Sequence, residues 1–157
     1  MLVVGADYNQ IVSGLYVGNA SAARHPPPDV VRVVNCTEEL GNLAQAPYQQ
    51  YWQIPLQDSG DDYDLRTFHR GLGGVFRFLD AIPLQQAPVL IHCQQGISRS
   101  SSVALAYLLY HRVVPNIRTG VRFMVQQRPV AFYGCGSPDT PGTELVYGQA
   151  LEDLYGW

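Results

Sequence analysis

The sequence predicts an α/β domain in which a central, mostly parallel, twisted sheet is flanked by helices. Short apolar runs at Leu15–Val17, Val30–Val34, Tyr51–Leu56 and Val89–Ile91 alternate with longer segments of helical period, the order from which parallel sheets are built. Val89, Leu90 and Ile91 form a continuous apolar run, as suits a strand buried on both faces. The segment after it carries Val103, Leu105, Tyr107, Leu108 and Leu109 on every side, the pattern of a helix enclosed by a core. A chain of 157 residues is long enough for one such core, so residues 1–157 read as a single domain.

Taken in order, Ile11 to Ala23 reads as a strand around Leu15 to Val17, after which Asn19 caps a brief helix. His25 to Asp29 is HPPPD, which cannot be helical. Val30, Val31, Val33 and Val34 give a second strand, interrupted by Arg32 and ending in Asn35-Cys36-Thr37. Glu38 to Gln50 has no firm pattern and reads as loop with some helix. Tyr51 to Leu56 is a third strand, followed by the acidic turn Gln57 to Asp64. Asp64 precedes an apolar period at Leu65, Phe68, Leu72, Val75, Phe76 and Leu79, which makes it the expected N-cap of a helix reaching about Ala81. Gly71, Gly73 and Gly74 each cost about 1 kcal/mol relative to Ala, so a kink is expected there, and Pro83 ends the segment. Ser100 to Arg112 is the buried helix. Pro115-Asn116 starts another, with Ile117, Val121 and Met124 or Val125 on one face, stopping before Arg128-Pro129. Val130 to Gly142 is rich in Gly and Pro, and Tyr147, Ala150, Leu151 and Leu154 restore a helical face.

Composition narrows the function. A net charge of −3 with no basic cluster argues against nucleic acid or anionic lipid as partner. No apolar run approaches the roughly 18 residues of a membrane span, and MLVVGADYNQ lacks the features of a signal peptide. Three widely spaced cysteines, Cys36, Cys93 and Cys135, fit neither a disulfide framework nor a zinc site. The expectation is an intracellular, cytoplasmic protein with no metal and no cofactor. All ten cations are arginine, a bias read as that of the source genome.

Chemistry is concentrated in Cys93-Gln94-Gln95-Gly96-Ile97-Ser98-Arg99. A loop that leaves a strand and enters a helix aims several N–H groups and the positive end of the helix dipole at one point. Cysteine at such a point is expected to work as the thiolate, and Arg99 can fork two donors onto a tetrahedral anion above it. A nucleophile beneath an anion nest and a guanidinium clamp describes phosphate-ester hydrolysis. Departure of an alkoxide or phenoxide needs a proton, so a carboxylic acid must overhang the pocket. Asp58, anchored just beyond a strand end, is the leading candidate, with Asp61 or Asp62 behind it as residues suited to turn formation.

With His92 before the cysteine and Ser100 after the arginine, the stretch resembles the signature of cysteine-based protein phosphatases, His-Cys-x-x-Gly-x-x-Arg-Ser/Thr. Its ending Gly96-Ile97-Ser98-Arg99-Ser100 is most similar to the dual-specificity branch, as are GLYVG, VVNCTEE, the Ile-Pro-x-x-Asp that ends in Asp58, and the helix ending in Arg128-Pro129. The resemblance covers residues 11–129 well; it implies that 130–142 is an insertion, that the fold is that of the small single-domain members, and that a phosphoprotein is the substrate. It further implies Cys93 as nucleophile, Gln94, Gln95, Gly96, Ile97, Ser98 and Arg99 as the phosphate cradle, Asp58 as general acid and base, Ser100 as donor to the sulfur and His92 as its positioning support. The neutral side chains at positions 94, 95, 97 and 98 favour phosphotyrosine and phosphoserine or phosphothreonine over a phosphoinositide.

Other readings stay open at this level. A silent phosphate-binding module shares the loop, and sulfur-transfer or arsenate-reducing enzymes use a similar one but need a thiol relay. Cys36 is expected to be strand packing rather than a disulfide partner of Cys93, and Cys135 an incidental residue of the insertion.

Overall fold

The computed structural model describes residues 5–43, 50–135 and 145–156. Strand β1 (Tyr8–Val12) turns through Ser13-Gly14 into β2 (Leu15–Gly18) and pairs with it antiparallel. Beside β2 lie β5 (Val89–His92), β3 (Arg32–Asn35) and β4 (Gln50–Gln53), all parallel, giving the order β1-β2-β5-β3-β4. The mostly parallel sheet is therefore present, with an antiparallel edge strand that the apolar runs did not reveal.

Strand alternation divides the core into two layers. Leu15 and Val17, Val34, and Val89 and Ile91 face one side, where α2 (Asp62–Asp80), α3 (Arg99–Tyr110), α4 (Ile117–Gln127) and α5 (Gly148–Tyr155) pack. Val33 and Leu90 face the other, against Ala22 and Ala23 of the short α1 (Ala20–Arg24). Helix α3 is buried from Arg99 through Leu109, as its all-round apolar pattern predicts. Asn19 caps α1 by accepting from Ala22 N–H at 3.0 Å, and Asn116 caps α4 by accepting from Thr119 N–H at 2.8 Å.

Several expectations need correction. Asp64 is not the cap of α2: the helix begins at Asp62, and Asp61 accepts from Asp64 N–H at 2.8 Å. Helix α2 also runs unbroken through its glycines. A Cβ at Gly71 would stand 2.7 Å from Ile54 Cδ1, and one at Gly74 2.7 Å from Trp52 Cζ2, so these glycines allow the helix to lie close on β4 and the segment after it. Nor does Arg32 interrupt a strand. It starts β3, is 1% exposed, and donates to Phe78 O (2.8 Å), Leu79 O (3.3 Å), Ile82 O (2.9 Å) and Ala87 O (2.9 Å). A buried cation thus satisfies the open carbonyls at the C-terminal end of α2 and meets the negative end of its dipole. The third strand is shorter than its apolar run, and the described part of Glu38 to Gln50 contains no helix; 44–49 lie outside the described residues.

His92 ends β5 in register with Gly18 of β2 and Asn35 of β3. The C-terminal ends of three adjacent parallel strands therefore converge where Cys93 begins, which is where open α/β sheets bind ligands. Arg32→Met keeps most of the side-chain volume and removes every donor; urea unfolding should show a loss of about 2–4 kcal/mol. An unchanged midpoint would contradict the capping role.

Candidate active site

The loop between β5 and α3 is shaped by what its carbonyls bind. Gln94 O accepts from Ala20 N–H at 3.0 Å, Ile97 O from Phe132 N–H at 2.8 Å, and Gly96 O from Arg128 Nε at 2.8 Å. In a planar trans peptide the N–H of the next residue points opposite to the carbonyl. Turning these three carbonyls outward therefore turns the N–H groups of Gln95, Ile97 and Ser98 inward. Among the described residues these amides, and those of Gln94 and Arg99, have no protein acceptor. They form a nest of open donors at the start of α3, an anion site.

Gly96 makes the turn possible. Its φ is +68°, and a Cβ there would lie 2.7 Å from the Gly18 backbone carbon and 2.6 Å from Arg128 Nη2. Its N–H reaches inward to Cys93 Sγ at 3.2 Å, and Ser100 Oγ stands 3.1 Å from the same sulfur. Both can donate to a thiolate. Arg128, 1% exposed, also donates to Ala6 O and Asn9 Oδ1, so the support beneath the loop is tied to the N-terminal strand.

The donors of Arg99 divide into two sets. One N–H on each of Nη1 and Nη2 meets Glu39, at 2.8 and 2.9 Å, and the other Nη1 hydrogen reaches Leu56 O at 2.9 Å. Nε–H and the second Nη2–H remain without a partner among the described residues. They form the side-on fork that suits two oxygens of one phosphate. The ion pair holds Glu39 below the usual carboxylate range through its bond to Arg99. The contacts of Arg99 with Glu39 and the Leu56 carbonyl were not foreseen from the sequence; Glu39 lay at the end of VVNCTEE, a stretch read for its likeness to the family and not for a contact with Arg99.

Asp58, Cys93, Gln94, Gln95, Ile97, Ser98 and Arg99 line one cleft of about 270 Å³, with Tyr133, Cys135 and Val146. Asp61 and Asp62 do not line it, and Asp64 is wholly buried. Of the four acids in the turn, Asp58 is the one at the cleft. Its side chain is exposed at the mouth, yet neighbouring protein desolvates the carboxyl. That desolvation, aided by the charges of Asp64 and Glu39, pushes its pKa up against the pull of Ser98 and Arg99. The Ser98 hydroxyl faces Asp58 but closes no hydrogen bond within 3.5 Å.

His92 is buried, its Nδ1 3.3 Å from Cys93 O, and burial pushes its pKa down to about 4. A neutral ring with its proton on Nδ1 can hold the Cys93 carbonyl and leaves Nε2, which has no partner, as a bare acceptor. Cys36 is buried, free, and pushed well up by burial, as packing predicts. Cys135, expected to be an incidental residue of the insertion, stands in the cleft with Cys93, free and half-buried. The described start of that segment, Val130 to Phe132, is buried and docks on the loop through Phe132 N; 136–142 lie outside the described residues.

Comparison with known proteins bears on the family and the fold. Human dual specificity protein phosphatase 4 is 30% identical over 125 residues, which span 77% of this chain and 30% of that protein. The chain thus spans under a third of that relative's length. Human DUSP28 superposes with a TM-score of 0.73 at 22% identity, covering 98% of this chain and 99% of that one. A mouse putative dual specificity phosphatase, solved as a complex with zinc tungstate, gives a TM-score of 0.69 at 22% identity over 98% of this chain and 94% of that one. Residues 15–134 match the family described as the dual specificity phosphatase catalytic domain, and the chain belongs to that family.

Proposed function

We propose that this domain hydrolyses phosphotyrosine and phosphoserine or phosphothreonine in proteins, through a phosphocysteine intermediate and without a metal ion. The observation that carries the reading is the open amide nest above Cys93, facing the unused fork of Arg99 with Asp58 in the same cleft.

In the first step the Cys93 thiolate attacks phosphorus and the bond from phosphorus to the ester oxygen breaks. Inward amides and Arg99 take the charge on the three equatorial oxygens, the part a metal plays in other phosphoryl-transfer sites. Protonated Asp58 gives its proton to the departing oxygen. In the second step water attacks the phosphocysteine and ionised Asp58 removes a proton from it. The phosphorus–sulfur bond then breaks and Ser100 donates to the leaving thiolate, releasing inorganic phosphate. His92 holds the Cys93 backbone through its carbonyl.

Substrate class is supported by the neutral side chains of Gln94, Gln95, Ile97 and Ser98, which offer no second cation inside the loop for a polyphosphorylated headgroup. The three free thiols support a reducing, intracellular compartment, and among the described residues no helix is long and apolar enough to cross a membrane.

Cys93→Ser should lower turnover of a phosphotyrosyl peptide by at least about 10³-fold; a variant retaining turnover would remove Cys93 from the nucleophile's role. Asp58 must carry a proton for the first step, so kcat/KM should fall as pH rises through its pKa. Because that pKa is raised, the fall begins at higher pH than an ordinary aspartate would give. Asp58→Ala should cost about 10²-fold or more and abolish this alkaline limb; a pH profile of unchanged shape would assign the limb to another group.

A further inference from the structure

Asp58 sits in an unfavourable backbone conformation, and something must hold it there. Its φ is +64°, a left-handed value that costs any residue with a Cβ, aspartate less than most, and that the surrounding bonds hold in place. The surrounding amides are held by one buried carboxylate. Asp64 Oδ1 accepts from Gln57 N–H at 2.8 Å, and Oδ2 accepts from Ser59 N–H at 2.9 Å and Gly60 N–H at 3.1 Å. The amide of Asp58 is the exception in this run. It points instead to Tyr147 Oη at 3.0 Å, and that hydroxyl donates to Asp64 Oδ2 at 2.8 Å.

We propose that Tyr147 is a positioning residue for the general acid, its hydroxyl bridging the Asp58 amide to the Asp64 carboxylate so that the Asp58 side chain stays over the cleft. This rests on the phosphatase reading above. Tyr147 is the residue before α5, far along the chain from the turn it steadies, and is fully buried with its ring stacked on Phe68 at 4.7 Å. Ring packing needs only a phenyl group; the hydroxyl has no role in it. Burial and the Asp64 charge push the phenol well above its ordinary pKa, so the hydroxyl remains a donor at every working pH. On Asp64, burial alone would raise the carboxyl, but the bonds from Gln57, Tyr147, Gly60 and Ser59 outweigh it and hold it down. The acceptor of the bridge is therefore an anion, and hydrogen bonds to an anion are the strong kind.

The test separates proton donation from folding by the acidity of the leaving group. Native protein and Tyr147→Phe are compared on phenyl phosphate, whose phenoxide needs a proton to leave, and on 2,4-dinitrophenyl phosphate, whose phenoxide does not. The bridge predicts a fall in kcat/KM of about tenfold on the first substrate and under about twofold on the second. In an Asp58→Ala background the same substitution should cause no further loss on phenyl phosphate, because Tyr147 acts through Asp58. Phe68→Leu, which loosens the ring contact and keeps the hydroxyl, should leave the ratio between substrates unchanged. Equal losses on both substrates, a loss that persists without Asp58, or the same ratio change from Phe68→Leu would each overturn the proposal and make Tyr147 a packing residue. A native protein inactive on both substrates would instead overturn the proposed function, and this inference with it.

Discussion

The loop after β5 works because its carbonyls are occupied elsewhere. Ala20, Phe132 and Arg128 each take a carbonyl from the outside of the turn, and peptide planarity then commits the intervening amides to the inside. The donors come from α1, from the segment after α4 and from a buried arginine near the end of α4. An anion nest of a few residues thus depends on packing over most of the chain. The helix dipole of α3 adds to the same field, and the helix is buried from Arg99 through Leu109.

The acid side of the cleft is built by a separate device that meets the first at Arg99. Leu56, two residues before Asp58, accepts from Arg99 Nη1 through its carbonyl, so the guanidinium proposed to clamp phosphate also anchors the approach to the acidic turn. Glu39 takes the end-on face of the same guanidinium. It fixes the side chain's orientation without using the side-on edge. Cys93, Arg99 and Asp58, the proposed nucleophile, clamp and acid, are therefore held by neighbouring bonds that end in the core at the Asp64 carboxylate.

Much of this was legible in the chain before the fold was known. The apolar run at 89–91, the turn that follows it and the all-round apolar helix located Cys93, Arg99 and Ser100, because strand, loop and helix each leave a local signature. Asp58 was legible as the acid nearest a strand end. What escaped depends on contacts distant in sequence. Asp64 reads as the cap because it precedes the apolar period, and only the fold shows that it faces inward to gather the amides of its own turn while Asp61 closes the helix. Arg32 looked like a break in a strand because its carbonyl partners lie near the end of α2 and beyond. Strand β1 was missed because Tyr8, Asn9 and Gln10 are only partly apolar, although Ser13-Gly14 between two extended stretches was a usable hairpin signal. Glu39, Tyr147 and Cys135 reach the site from segments whose local pattern says nothing of the contact they make there.

The central claim is that the amides of this loop face inward over a reactive sulfur. A crystal soaked with tungstate tests it most directly. The account predicts the oxyanion above Cys93 Sγ, its oxygens on the N–H groups of Gln95, Ile97 and Ser98 and on the Nε–Nη2 edge of Arg99, with Arg99 still paired to Glu39. Tungstate lodged elsewhere, or loop carbonyls turned toward the cleft, would contradict it.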